Sequence, residues 1–437
     1  MHGVLMPLFK KLKDSTAVLV GLIFLLSFFS MGQKATSEYI SPYDEMYHMS
    51  YIQYVYEGHI PKQGDPMNTW SREGFSCKPV YPGGIYTGIP CGQVGPPDHY
   101  PEGGTNSAIG WPPVYYSTVA LLLKLPLMVS FHPIPFARVI TAFLWSSGVA
   151  LIALCGIRRK QNKFAILAVS LVISSLPFAY FHGSFISPHS MIPLLVGGIL
   201  SLDIEREKRN WGLRSSLIAL LIFGVVSALT VPQFSPIVGV IAFAWIVNNW
   251  KSDSGSLGQH LLGGISILAA AGGTFVTHRI WGVIQNSRAT AWPSDVNVAV
   301  GQVVIETPWT RTSIMESIWR FFPHAIDQYQ FLGPTEYFFS QSWSFILLAA
   351  TGAMLFGSKG HFKYLASALV GLGAIYSVYA EKIAVAPVPP RYGLSLVILG
   401  FALIPSALKS RVDSVGILIL ASCTYLYFFS LMPFALS

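Results

Sequence analysis

Long apolar runs alternate with short polar stretches along most of the chain, and the polar stretches are rich in Lys and Arg. A helix needs ~17–25 apolar residues to cross a bilayer, and several runs reach that length. The first, Thr16 to Met31, follows Lys10, Lys11 and Lys13. No convincing small-residue cleavage site comes after it, so it reads as a retained anchor and not a signal peptide. Further spans are expected at about 136–157, 164–181, 190–202, 212–230, 234–250, 260–278, 342–357, 364–380, 392–408 and 414–433. The fold class is therefore an all-α polytopic membrane protein of about 11 transmembrane helices, with residues 1–437 forming a single integral membrane domain.

Sidedness turns on Val114–Ser130, an apolar run interrupted by Lys124. If that run spans, Arg158, Arg159, Lys160, Arg206, Lys208 and Arg209 all fall outside. If it lies along the interface, more than half of the 28 Lys and Arg residues collect in short cytoplasmic stretches. The second arrangement is the positive-inside distribution, and Lys124 is easier to place at an interface. Val114–Ser130 is accordingly read as a juxtamembrane helix. A first extracytoplasmic loop then covers residues 32–135 and a second covers 279–341, with the N-terminus cytoplasmic. A protein with such small cytoplasmic loops works on its outer side.

Composition narrows the classes. The chain has 437 residues, 52% hydrophobic and only 11% charged, too little polar surface to cover a soluble globule. A soluble enzyme, a disulfide mini-protein and a disordered chain are excluded. The net charge of +8 comes from loop clusters without a basic stripe, so no nucleic-acid partner is expected. None of the 20 Asp and Glu residues sits at the centre of a predicted span, which argues against an ion-coupled pump.

The strongest local feature is Ser41-Pro42-Tyr43-Asp44-Glu45-Met46-Tyr47-His48, just beyond the first span. Ser41 as N-cap and Pro42 at the first position predict a helix that Gly58 stops. On such a helix Asp44 and His48 share a face, with Tyr51 one turn on. A carboxylate braced by a histidine suits a general base that deprotonates a hydroxyl. The same spacing also reads as a capping box, in which Asp44 only satisfies a backbone N–H.

Two more segments complete a pattern: Gly110-Trp111-Pro112-Pro113-Val114-Tyr115-Tyr116, and Pro389-Pro390-Arg391-Tyr392 before a late span. An apolar first helix followed by a large outer loop opening with Asp-Glu resembles the C-type membrane glycosyltransferase superfamily (GT-C). The second segment is similar to the one that opens the second juxtamembrane helix in bacterial members, and the third to their Gly-Arg-Tyr segment. The stretch from Asp44 through Cys77 and Cys91 to Tyr116 resembles uncharacterised actinobacterial members.

The resemblance implies an inverting transferase that moves a sugar from a polyprenyl-phosphate donor to a hydroxyl on a cell-envelope glycan, lipid-linked glycan or protein. It implies a bacterial plasma membrane location and an extracytoplasmic active site. Asp44 would be the base, and Glu45 a neighbouring orienter or alternative base. Arg391, with Tyr392, would hold the donor phosphate, and Lys382 and Arg320 are lesser candidates. A guanidinium suits this task because it grips phosphate bidentately. His182, His189, Trp111 and Tyr115 would line the substrate groove.

One departure stands out: many relatives carry an Asp in the outer loop after the third span. Here that loop reads Phe181-His182-Gly183-Ser184-Phe185-Ile186-Ser187-Pro188-His189, with His182 and His189 but no acid. No Asp-x-Asp or His-rich ligand set appears elsewhere, so no catalytic metal and no other cofactor is expected beyond the lipid-linked donor. Ser313 to Gln330 is predicted as an amphipathic interfacial helix. Cys77 and Cys91, placed in an oxidising compartment, are expected to form a structural disulfide. The rival readings are a flippase for lipid-linked glycans and an inactive scaffold of the same fold.

Overall fold

The computed structural model describes residues 15–81, 84, 87–128, 132–252, 257–289, 326, 334–358, 360–378, 390–408 and 410–431. Among these residues the chain is helical, with two isolated β-bridges and no strand. Helix α1 (Thr16–Gly32) is capped by Ser15, whose Oγ accepts from Val18 N. Helices α2 (Glu45–Tyr56) and α3 (Thr69–Cys77) follow, then a run of single turns up to α4 (Val114–Met128). The bundle continues with α5 (Pro133–Arg158), α6 (Lys163–Ile173), α7 (Ile192–Arg209), α8 (Leu213–Ala228), α9 (Ser235–Ser252) and α10 (Leu257–Arg288). It closes with α11 (Pro334–Gly357), α12 (His361–Val378), α13 (Leu394–Ala407) and α14 (Arg411–Leu431).

Four helices among the described residues are long and apolar enough to cross a membrane: Pro133–Arg158, His260–Arg288, Tyr337–Gly357 and Arg411–Phe429. Lys163–Ile173 with Pro177–Ser184 adds a fifth if that pair, bent by 58°, is one broken span. Pro177 explains the break, since its ring cannot continue a helix and its nitrogen has no proton to donate. Apolar helices that are shorter include Thr16–Gly32, Val114–Leu125, Leu213–Ala228, Pro232–Asn248 and Leu394–Ala407. This is the pattern of a multi-pass membrane protein.

α5 is the central strut, packed by α1 on one side and α7 on another. The α5–α7 approach depends on Gly148, where an added Cβ would lie 2.2 Å from Leu194 N. Small residues at such crossings let helix backbones approach closely. Outward from the bundle, Leu221, Ile222, Leu262 and Ile265 are exposed, as lipid-facing side chains would be.

Several expectations shift. α10 runs to Arg288, ten residues past the boundary expected for the second outer loop. The segment after α6 is not a polar surface loop: Tyr180–Ser184 forms a π-turn, and every residue from Phe178 to Met191 is buried. The Ser313–Gln330 helix lies outside the described residues apart from Ile326. Cys77 and Cys91 are joined as a disulfide. Cys155 is buried, whereas Cys423 faces outward.

Candidate functional site

The Asp44 segment is registered differently from the sequence expectation. α2 begins at Glu45, and Asp44 is its N-cap residue with φ +63°, in the left-handed region. Its side chain makes no capping hydrogen bond, so the capping-box reading does not describe this helix start. Ser41 instead accepts from Tyr43 N at 3.2 Å, which closes the turn before the helix. His48 N donates to Asp44 O at 3.0 Å, so the carboxylate and the imidazole flank a single helical turn.

Glu45 is fully committed. Arg138, in the second turn of α5, grips it through Nε–Oε1 at 2.7 Å and Nη2–Oε2 at 2.9 Å, with both side chains at 0% exposure. The remaining carboxylate lone pairs accept from Ser41 N (2.9 Å) and Ile186 N (3.1 Å). Arg138 also donates to the carbonyls of Ser37 and Tyr39, at 2.9 and 2.7 Å. Its guanidinium lies 4.7 Å from the Phe185 ring. This arrangement favours Glu45 as an orienter over Glu45 as an alternative base, because every acceptor position is taken.

Around the Asp44 turn the structure gathers residues from four parts of the sequence. His48 Nδ1 meets the Tyr116 hydroxyl at 2.9 Å, and Tyr51 stacks on Tyr116 at 3.8 Å. Trp111 sets its ring edge-on to both His48 (5.7 Å) and His189 (5.1 Å). Tyr392 stacks on His189 at 5.8 Å and approaches Trp111 at 6.2 Å. Ser187 Oγ sits between His182 Nδ1 and His189 Nδ1, at 3.3 and 3.2 Å. Tyr115 is buried beneath them, its hydroxyl accepting from Ser187 N (3.1 Å) and meeting Thr141 Oγ1 (3.0 Å). His182 and His189 are thus packed inside the protein rather than set on an open loop, at 0% and 2% exposure.

Two contributors were not visible in the sequence. Glu102 adopts φ +57° in the turn Pro101–Gly104. Its neighbour Gly104 needs φ +72° and has no room for a Cβ, which would lie 2.2 Å from Pro97 O. Glu102 lies at the surface, where partial desolvation and then the negative charge of Asp44 push its carboxyl above the ordinary carboxylate value, against a hydrogen bond from Ser107. Burial, followed by the charges of Glu102 and Asp44, also raises the Tyr47 hydroxyl. The two acids therefore act on the same small region.

The second is Lys34, just past α1. It is 5% exposed, its Nζ has no hydrogen-bond partner among the described residues, and it lies 5.7 Å from the Tyr180 ring centre. Burial lowers its amine to about 8.

Arg391 lies in the 3₁₀ turn Pro390–Gly393 beside Tyr392, and its side chain is outside the described residues, as are Lys382 and Arg320 entirely. Among the described residues no three His, Cys, Asp or Glu side chains converge as a metal-binding set. Comparison with known proteins brings no further help: no family model, no curated protein and no solved structure matches this chain.

Proposed function

We propose that the protein is an inverting membrane glycosyltransferase of GT-C architecture, acting on the extracytoplasmic side of a bacterial plasma membrane. The observation that carries this reading is the left-handed backbone held by two acids, Asp44 and Glu102, a conformation that costs an L-residue roughly 1–2 kcal/mol. The Asp44 charge also contributes to raising the Glu102 carboxyl. Strain of this kind gathers where a side chain has to be presented to a ligand. In the proposed reaction Asp44 takes the proton from the acceptor hydroxyl, whose oxygen attacks the anomeric carbon of a polyprenyl-phosphate sugar. The bond from that carbon to the phosphate oxygen breaks with inversion, and the polyprenyl phosphate leaves.

Glu102 supplies the second acid that the loop after α6 lacks, and its raised carboxyl suits a group that shares or relays a proton. Trp111, Tyr392 and His189 form an aromatic wall of the kind that accepts a sugar face. Arg391 and the buried Lys34 are the cations proposed for the leaving phosphate. The eleven-span topology, the cytoplasmic N-terminus and an interfacial α4 belong to the same proposal. In support, α4 buries Tyr115, Tyr116, Val119 and Leu123 against the bundle while exposing Leu121, Leu122 and Leu125.

The test uses purified protein in nanodiscs, a panel of radiolabelled polyprenyl-phosphate sugars and a membrane glycan extract. Asp44→Asn is expected to lower transfer by about 10²–10⁴-fold while donor binding persists. Arg391→Ala is expected to weaken donor binding. If no donor in a broad panel binds or transfers, the enzyme reading fails and a flippase or inactive scaffold takes its place.

A further inference from the structure

The end of the bundle away from Asp44 holds a second concave site. α7 starts three residues after His189 and runs 18 residues to Arg209, so its two ends are about 27 Å apart. At its far end a cavity of about 510 Å³ opens between the ends of α7 and α9 and the starts of α8 and α10, lined by Arg206, Glu207, Asn210, Trp211, Trp250 and His260. That volume is in the range of sites that hold small ligands.

The charged members of the wall are spent within the protein. Arg206 is 8% exposed, its Nε donates to Ser216 Oγ at 3.1 Å, and its guanidinium stands 4.7 Å from the Trp245 ring. It also faces the negative charges of Asp203 and Glu207, and Glu207 in turn lies 3.6 Å from Arg159. A charged ligand would lose hydration here without meeting an uncompensated opposite charge. The groups left over are uncharged. Among the described residues nothing hydrogen-bonds the indole N–H of Trp211 or of Trp250, or the side-chain amide of Asn210. Asn210 is held at the cavity by its left-handed backbone, φ +47°, in the turn that ends α7. Trp250 stacks on His260 at 5.7 Å and is still 46% exposed.

Indole rings ringed by uncharged donors and acceptors suit a sugar, whose C–H face packs on the ring while its hydroxyls pair with N–H and amide groups. The surroundings say how that sugar arrives. Leu213 on the cavity rim is exposed, and Ile218, Leu262 and Ile265 continue an exposed apolar surface along α8 and α10. Tryptophans at the polar end of such a surface are a membrane-interface signature. A ligand entering here carries an apolar tail along α8 and α10 and an uncharged head into the cavity. We propose that this cavity binds the headgroup of a neutral glycolipid, its sugar ring against Trp211 and Trp250 and a hydroxyl on Asn210. This inference does not depend on the transferase reading.

The experiment is native mass spectrometry of the full-length protein released from a polyoxyethylene detergent, which brings no sugar of its own. The protein is offered monoglucosyl diacylglycerol, or diacylglycerol or phosphatidylglycerol with identical acyl chains. Wild type is expected to retain the glucosyl lipid about threefold to tenfold better than diacylglycerol, the scale of one aromatic contact. Trp211→Ala/Trp250→Ala should erase that preference while leaving phosphatidylglycerol retention unchanged. Asn210→Gly keeps the left-handed helix end and removes only the amide, so it should lower glucosyl-lipid retention about twofold to fivefold with thermal unfolding unchanged. Equal retention of glucosyl lipid and diacylglycerol by wild type, or a preference that survives both variants, overturns the assignment. So does displacement of the glucosyl lipid by phosphatidylglycerol, which would mark an anionic-lipid site, or by free glucose, which would mark a site for a soluble sugar.

Discussion

Each end of the bundle buries one carboxylate completely, and the two are satisfied in opposite ways. At the Asp44 end, Glu45 is closed by a single bidentate arginine and two backbone N–H groups, and Arg138 in turn spends its donors on backbone carbonyls. At the far end, Asp203 is a hub for three side chains. Its Oδ1 accepts from Trp245 Nε1 at 2.6 Å, and its Oδ2 takes both Arg159 and His361 Nε2, the latter at 2.7 Å. Asn248 Nδ2 meets His361 Nδ1 at 2.8 Å, which leaves the ring proton on Nε2 facing Asp203. The first arrangement locks backbone around a neighbouring acid. The second ties the ends of α5, α7, α9 and α12 together. A buried ion pair that fixes main chain is a platform for presenting Asp44, whereas one that links helices is a clamp.

The sharpest way to break this contrast is to remove one member of each. Arg138→Leu strands the Glu45 charge and the carbonyls of Ser37 and Tyr39, and should destabilise the protein by about 3–5 kcal/mol in unfolding measured in detergent micelles. The double variant Arg138→Leu/Glu45→Leu should lose clearly less than the two single losses together. Additive losses would mean that the pair does not act as a unit. Asp203→Asn should cost less, about 2–4 kcal/mol. An amide at Oδ1 still accepts from Trp245, but its N–H faces the donors of Arg159 and His361. Losses in the reverse order would reverse the assignment of platform and clamp.

A third comparison concerns a buried charge left without such closure. The Lys34 amine falls to about 8 in the folded protein from an ordinary value near 10.5. Between those two values the unfolded chain binds more protons than the folded one, so the wild type gains stability as pH rises through the window. Lys34→Met should therefore be more stable than wild type by about 1–3 kcal/mol below pH 8. That advantage should shrink across the window and vanish above it. A difference that stays constant with pH would show that the amine is solvated or already paired.

Which parts of this were legible in the sequence follows from the range of each interaction. The apolar runs announced the helices, and the short motifs announced His48, Trp111, Tyr115, His189 and Tyr392, because each lies in a segment with its own local signal. The helix start was misregistered because nothing local says that Asp44 will turn left-handed and delay the helix to Glu45. Glu102 stayed hidden in Pro101-Glu102-Gly103-Gly104, which reads only as a turn. Arg138 did leave a trace: an arginine near the start of an otherwise apolar span needs a partner. That partner, Glu45, lies 93 residues away and no spacing rule reaches it.

The smallest expected effect bears most directly on the platform. If the Glu45–Arg138 pair holds Asp44 in left-handed backbone against its preference, a residue without a Cβ should relieve the strain. Asp44→Gly should then raise stability by about 1 kcal/mol, the size of such a conformational penalty, while Asp44→Asn leaves it nearly unchanged. In the proposed reaction both variants lose sugar transfer, so stability and activity move apart at this one position. A destabilised Asp44→Gly protein would mean that the Asp44 side chain contributes more to folding than its backbone costs. The residue would then be structural first, and Glu102 would become the better base.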